Sequence, residues 1–463
     1  MTFRQRLQQL LGQHPDEDTA PETLVAALAD PQQRRAATEG LLRQGEAAVP
    51  ALAAALATAL AAADGPLLRR LAQVASRFNT PSSRQLLVEL IRNDNLFARA
   101  AALRTAPLQP DATQAAMLEA VVGRELQLAR QLLHGQASAP MALAHALAYE
   151  LEGIQSRLFG LLMRLHSPQL IADARRGVAH ASREHHANAL VMLDNLIPRH
   201  VYLGLQTLLG PSLPAAKART FDQLLGPPPA TLPPVAELVA MQGLTAFADW
   251  TLAQALQAWE PTAATVQALL PHLRTQNRLV RESAFAALNH LAATQPAVHQ
   301  ALLHHWPDTA EFLTMPHQAA ARVPAAERVR ILKNTALFAV TPENVLSAIV
   351  PIMNEVEYGA DEQIFTQGDP GASLFIVYEG EVDISYGRQQ LATFGKGDFF
   401  GELALLDAEP RSATARTRSP VLAFRLDQDD FYDVMEERPE VLRTILRVLC
   451  QRLRRQNEKM LTV

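Results

Sequence analysis

Cysteine is almost absent from this chain: Cys450 is the only one in 463 residues. No intrachain disulfide can form, and the composition suits a reducing compartment. Histidine is missing from the C-terminal part, with none after His317. A small β domain there could not be a histidine-based metalloenzyme, which needs converging imidazoles and a carboxylate. The fourteen histidines all lie upstream, and the neighbours His185-His186 and His304-His305 point to different helix faces. Solvated or capping roles are expected for them, and no metal site. Net charge of one sign is also scarce, at -5. That gives no general attraction to nucleic acid or to a membrane surface, so no nucleic-acid partner is expected and any anion site must be local.

Long hydrophobic runs are few. The strongest is Ala47 to Ala63, seventeen uncharged residues, but it is mostly alanine, contains Pro50 and Thr58, and reads as a packed helix. The amino terminus, MTFRQRLQQLLGQ, carries two arginines and then breaks at Gln and Gly, unlike a secretory signal. A cytoplasmic location is expected. No Walker glycine-lysine loop, G-x-S-x-G elbow or paired-cysteine zinc spacing occurs. No enzyme activity and no catalytic cofactor are expected.

What is present is a hydrophobic content of 48%, ample for several cores in a chain of 463 residues. Up to about His305 the chain is rich in Ala, Leu, Gln and Arg, poor in β-branched runs and punctuated by Pro, Gly and Asp-Pro. Short antiparallel helices suit that pattern. One triplet recurs: Arg34, Ala37, Leu41; His186, Ala189, Leu193; Arg281, Ala284, Leu288. Each puts a small and a large apolar group on one helix face. The segments LADPQQRRAATEGLL, IRNDNLFARAAAL and RTQNRLVRESAFAALNHL share a polar turn, an arginine and an Ala-rich amphipathic helix. They resemble HEAT-type helical repeats, although no fixed period runs through the region. Five prolines in GPPPATLPPV, Gly226 to Val235, exclude helix interior and predict a stiff connector between two helical lobes.

After FLTMPHQAAARVPAAERV the signals change. A helical piece, ILKNTALFAVTPENVLSAIVPIM, leads into short alternating segments. SLFIVYEGEVDIS reads as strand, tight turn at Glu379-Gly380, strand; QIFTQGDPGAS ends a strand in a Gly-Asp-Pro-Gly turn; QLATF and VLAFRL are further strands. Strands of this spacing predict a small barrel or jelly roll. Arg438-Pro439 opens a terminal helix with Leu442, Ile445, Leu446, Leu449 and Leu453 on one stripe.

Within the β region, FFGELALLDAEPRSATA, Phe399 to Ala415, places one acid, Glu402, after a glycine and one base, Arg411, nine residues later. FGELALL breaks strand alternation and reads as a turn followed by a short helix. The first amides of such a helix lack internal partners and favour an anion, and Gly401 lets the backbone approach it. Arg411 supplies a planar permanent cation for phosphate oxygens, and Ser412 a hydroxyl donor. Glu402 would repel a phosphate but suits a sugar hydroxyl. Taken singly, Glu402 reads as a helix-start carboxylate and Arg411 as a surface cation beside Asp407. Those readings leave Gly401, Pro410 and Ser412 in the same register unexplained.

The stretch FGELALLDAEPRSATA resembles the phosphate-binding cassette of the cyclic-nucleotide-binding domain family, the modules of cAMP- and cGMP-responsive kinases, channels and bacterial regulators. By that resemblance Glu402 takes the ribose 2′-hydroxyl and Arg411 the cyclic phosphate, with Gly401, Leu403, Ala404, Ser412 and Ala413 around them. It implies cAMP in preference to cGMP, with Ser412 compatible with either. Arg443, Arg447, Arg452, Arg454, Arg455 and Lys459 of the terminal helix are candidate base or lid contacts, or simply solvated cations. Helical repeats followed by this sensor also resemble the soluble tail of bacterial ADP/ATP-carrier-like membrane proteins, a likeness carried by RLFGLLMRLHSPQLIADARRGVAHASREHHANALVMLDNLI.

The expected architecture is a multidomain α plus β chain. A HEAT-like helical solenoid (1–225, first lobe; 226–235, proline-rich connector; 236–305, second lobe) is followed by a linker (306–330). A cyclic-nucleotide-binding β-roll, jelly-roll-like with flanking helices, occupies 331–463. The expected function is a cyclic-nucleotide-responsive adaptor whose helical platform meets a protein partner, a membrane protein among the candidates. The alternative is a constitutive HEAT-repeat scaffold with a structural, ligand-free sensor. A transcription factor built on this roll would carry a helix-turn-helix after the long helix, whereas the sequence ends at Val463.

Overall fold

The computed structural model describes residues 19–30, 33–62, 64–106, 110–180, 182–228, 233–305, 322–402, 409–437, 441–442, 446 and 450. The chain divides into two compact units, Met1–Phe247 and Ala248–Val463.

In the first unit all regular structure among the described residues is helical. Start signals in the sequence set the boundaries. Prolines open the helices Pro21–Ala27, Pro81–Arg92, Pro168–Val178 and Pro214–Leu225, where their missing N–H costs nothing. Thr80 with Ser83, and Asp111 with Gln114, form reciprocal caps. The helix ending at Leu225 stops at Gly226, and a helix starts at Val235; residues 229–232 of the proline-rich segment lie outside the described residues. In the triplets read from the sequence, Ala37, Leu41, Ala189, Leu193, Ala284 and Leu288 are all buried.

One stretch among the described residues, Arg34–Ala61, is long and apolar enough to cross a membrane by composition. It is broken at Gly45, whose φ of 60° turns an α-helix into a 3-10 turn, and Leu52, Leu56 and Ala59 are buried within the unit.

The long helices Ala112–Ser138 and Met141–Leu165 carry a polar pin that periodicity does not reveal. Glu125 is fully buried; it accepts from Arg99 Nη1 at 2.7 Å and from Arg157 Nε at 2.9 and 3.0 Å. Nearby, Arg164 donates to the carbonyls of Ala102, Leu103 and Thr105 at 2.8, 3.2 and 3.2 Å, closing the carboxyl end of helix Leu96–Leu103. Burial pulls the Arg164 guanidinium down to about 10.

The second unit begins with helices Asp249–Ala258, Arg278–Thr294 and Pro296–His305, then Ala325–Asn334 and Glu343–Leu346. Residues 249–305, which composition places with the helical repeats, therefore share a compact unit with the β region. Buried and part-buried hydrogen bonds link them to the later helices. Asn344 Nδ2 donates to Thr251 Oγ1 at 2.6 Å, and Ser347 Oγ to Asp249 Oδ1 at 2.6 Å. Glu282 Oε2 accepts from the Ala325 amide at 2.7 Å and so caps helix Ala325–Asn334 from outside. Arg328 continues the chain of contacts to the sheet, bonding Glu355 and the Met353 carbonyl, both at 2.5 Å.

Eight strands follow: β1 Asn354–Tyr358, β2 Gln363–Phe365, β3 Ser373–Glu379, β4 Val382–Tyr386, β5 Gln389–Phe394, β6 Phe399–Phe400, β7 Thr414–Thr417 and β8 Val421–Asp427. They form two antiparallel four-stranded sheets, β1-β8-β3-β6 and β2-β7-β4-β5. Between them lie Phe375, Val377, Phe400, Val421 and Ala423 from one sheet and Val382 and Ala415 from the other, with Phe365, Ile384 and Phe394 packed alongside. The turn read at Glu379-Gly380 joins β3 to β4: Gly380 has φ 89°, and a Cβ there would lie 2.2 Å from the Pro420 carbonyl oxygen. The linker's residues 306–321 and most of the apolar stripe after Pro439 lie outside the described residues; of that stripe, Leu442 and Leu446 are described and exposed.

Two stability outcomes follow. Glu125→Ala leaves two arginines facing each other in the interior and lowers the unfolding free energy by about 3–5 kcal/mol in a urea titration; a loss below about 1 kcal/mol would mean the pin is screened by water. A double-mutant cycle of Thr251→Ala with Asn344→Ala gives a coupling of about 0.5–3 kcal/mol, whereas simple additivity would dissolve the link between helix Asp249–Ala258 and the later helices.

Candidate functional site

The site forms where the ladder of the first sheet runs out. Strand β6 pairs only Phe399 and Phe400 with Ile376 and Phe375 of β3. The chain then leaves the sheet at Gly401, whose φ is 80°. That departure uncovers the backbone of Ser373, at the start of β3. A carbonyl left without a ladder partner needs a donor, and Arg411 provides it: Nη1 donates to the Ser373 carbonyl oxygen at 2.7 Å and Nη2 to Ser373 Oγ at 3.2 Å.

The backbone of Arg411 is fixed by the Gly-Asp-Pro-Gly turn. The Gly368 amide donates to the Arg411 carbonyl at 2.8 Å, and the Arg411 amide to the Asp369 carbonyl at 2.8 Å. The turn is itself held by Asp369 Oδ2, which accepts from the Thr366 amide at 2.7 Å. With its main chain clasped, the side chain is directed inward and is only 7% exposed. Its guanidinium carbon lies 4.2 Å from the Phe365 ring centroid and 5.8 Å from that of Phe375. Phe375 stacks in turn on Phe400 at 5.2 Å, so the cation rests on the aromatic end of the core.

The electrostatics are one-sided. Burial lowers the Arg411 pKa, while Asp369 and Tyr358 act in the opposite direction. Among the described residues no ion pair includes Arg411, and its Nε is buried without a hydrogen-bond partner. The positive charge is thus met by a carbonyl, a hydroxyl and ring faces. A guanidinium in that condition stabilises an arriving anion that brings its own charge.

Of the residues singled out in the sequence, Gly401 and Arg411 are brought directly together: a Cβ on Gly401 would lie 2.5 Å from Arg411 Nη1 and 2.9 Å from the Ser373 carbonyl oxygen. Glu402, the next residue, is half-buried and has interaction partners of its own. Ser412 and Ala413 flank Arg411, with Ser412 exposed and Ala413 half-buried. Leu403 and Ala404 lie outside the described residues, as do Arg443, Arg447, Arg452, Arg454, Arg455 and Lys459. Sequence reasoning did not single out Phe365 or Ser373. The only signal is position, since they flank the Gly-Asp-Pro-Gly turn on either side.

Residues 355–438 match the family model of the cyclic nucleotide-binding domain. The chain is 33% identical over 135 residues to the CRP-like cAMP-activated global transcriptional regulator of Mycobacterium tuberculosis, covering 28% of this chain and 60% of that protein. It is 34% identical over 110 residues to the cGMP-dependent protein kinase of Eimeria tenella, covering 24% of this chain and 11% of the kinase. Among solved structures, the regulatory domain of Toxoplasma gondii PKA with cAMP is 33% identical with a TM-score of 0.23, covering 24% of this chain and 44% of that one. The N-terminal domain of a transcriptional regulator from Streptomyces coelicolor A3(2) is 32% identical with a TM-score of 0.27, covering 28% and 94%. The chain thus spans 60% or less of the length of these curated relatives.

Gly401→Ala tests the contact at the ladder's end. The added methyl meets the guanidinium and a backbone carbonyl, in a φ region costly for any residue but glycine. The variant loses about 1–3 kcal/mol of stability in thermal or urea unfolding; wild-type stability would mean that the backbone there relaxes freely.

Proposed function

With a cyclic nucleotide-binding domain at residues 355–438 as the premise, we propose that this chain is a non-enzymatic, cyclic-nucleotide-responsive adaptor. Arg411 receives the cyclic phosphate and Glu402 the ribose 2′-hydroxyl, with Gly401, Leu403, Ala404, Ser412 and Ala413 completing the cassette. One observation carries the reading: a buried guanidinium with no ion pair among the described residues, hydrogen-bonded only to a carbonyl and a hydroxyl and set beside a positive-φ glycine. Such a cation gains most from a compact monoanion, and a cyclic monophosphate is one. The ligand proposed is cAMP in preference to cGMP, in line with the cAMP-activated regulator of Mycobacterium tuberculosis, while the cGMP-dependent kinase of Eimeria tenella makes cGMP the second ligand to test.

The helical region is the output, a HEAT-like platform for a protein partner, with a membrane protein as one candidate and the cytoplasm as the setting. Helices Asp249–Ala258 and Arg278–Thr294 are the natural relay, because Asp249, Thr251 and Glu282 bond Ser347, Asn344 and Ala325 of the segments that precede β1. A ligand shifts this relay only by binding one arrangement more tightly than the other.

Calorimetric titration of the full chain with cAMP and cGMP tests the reading. Arg411→Ala removes about 2–5 kcal/mol of affinity, at least about thirty-fold in Kd. Glu402→Ala removes about 1.5–3 kcal/mol, the worth of a hydrogen bond to a charged group. No heat with either nucleotide at millimolar concentration would favour the other reading, a constitutive scaffold whose sensor stays empty because Ser373 already engages the arginine.

A further inference from the structure

We infer that Phe365 and Ser373 are positioning residues that hold the Arg411 guanidinium in its binding orientation before any anion arrives. This inference rests on the cyclic-nucleotide reading of the same site and adds to it two residues outside the cassette.

An arginine side chain free in solution samples many rotamers, and that freedom is lost when it grips a ligand. Here the loss is incurred during folding. Edge-on, the guanidinium is fixed by two acceptors of a single residue, the Ser373 carbonyl oxygen at 2.7 Å and Oγ at 3.2 Å from Nη1 and Nη2. Face-on, it lies over Phe365, whose ring centroid is 4.2 Å from Cζ. Two perpendicular restraints leave a planar group little rotation. Phe365 is held in turn by neighbouring rings, with centroids 6.0 Å from Phe375 and 5.9 Å from Phe400, so the ledge is rigid.

The topology explains why Ser373 can do this. Its β8 neighbour across the ladder is Asp427, but on the other edge β6 stops at Phe400, opposite Phe375. The Ser373 carbonyl therefore faces a gap in which Arg411 acts as the missing rung. Each Nη has two hydrogens and contributes one to Ser373. One hydrogen on each Nη remains, and these are the donors left for a phosphate. A serine hydroxyl that accepts from Nη2 also keeps its own hydrogen to give. An aliphatic side chain at 365 would supply bulk but no negative ring face, and an alanine at 373 would keep the carbonyl but drop the second acceptor.

The test is calorimetric titration of the full-length chain with cAMP, alongside its unfolding temperature without ligand. Phe365→Leu raises Kd about tenfold and Phe365→Tyr restores it to within about threefold. Ser373→Ala raises Kd about fivefold, with an unfolding temperature close to wild type. Should Phe365→Leu fail to fold, Ser373→Ala and Phe365→Tyr decide the matter. Wild-type Kd in Ser373→Ala and Phe365→Leu, with strong loss in Arg411→Ala, would overturn the positioning role and leave the nucleotide reading intact. Equal losses in Phe365→Tyr and Phe365→Leu would overturn the ring-face argument. A wild-type chain that binds neither cAMP nor cGMP would bring down the reading and this inference with it.

Discussion

Arg411 donating to the Ser373 carbonyl closes a gap that the sheet itself leaves open, and much else at the C-terminal end follows from that bond. Strand β6 cannot continue past Phe400, because Gly401 turns away with a φ of 80°. Without a donor the carbonyl would be a desolvated orphan, a cost of order 1–3 kcal/mol. The arginine meets that need and in return acquires a fixed position, an aromatic floor and a reason to stay buried. The structural role and the binding role proposed for Arg411 therefore fall on one side chain. Replacing it with lysine would keep a charge but lose the planar fork that addresses a carbonyl and a hydroxyl together.

The same economy appears in the helices. Several buried polar residues there tie one element to another. Arg164 serves the carbonyls closing helix Leu96–Leu103, Glu282 serves the first amide of helix Ala325–Asn334, and Glu125 joins Arg99 and Arg157 across the long helical pair. Apolar packing among Ala and Leu is permissive, since many registers of two Ala-rich faces bury similar area. Directional bonds at helix ends select one register. Helix Asp249–Ala258 is set against the later helices in this way, through Asp249 to Ser347 and Thr251 to Asn344.

What the sequence discloses follows how local each determinant is. Alternation in SLFIVYEGEVDIS, with one glycine needing positive φ, was sufficient to place β3, the turn and β4, because all three are decided within a dozen residues. The buried Ala and Leu of the helical triplets were equally legible from a period of 3.6. Gly401 and Arg411 could be singled out because an acid and an arginine among small residues have no simpler joint explanation, and the structure brings those two residues together. Ser373 and Phe365 could not be read: nothing in GDPGAS or QIFTQ marks a side chain that will meet an arginine some forty residues away. Residues 249–305 look like the helices before them, since composition records helix propensity and not which partner a helix will bury against.

The weak net charge of -5 bears on what kind of ligand this site can hold. A strongly basic protein would attract any polyanion, and a single buried arginine would add little discrimination. Here the long-range field offers no such pull, so affinity has to come from contacts made at close range. At close range a guanidinium on an aromatic floor, with two donors left over, rewards an anion small enough to enter beside Gly401. An extended polyphosphate or a nucleic-acid backbone would bring more charge than one guanidinium can pair, and burying unpaired charge is unfavourable.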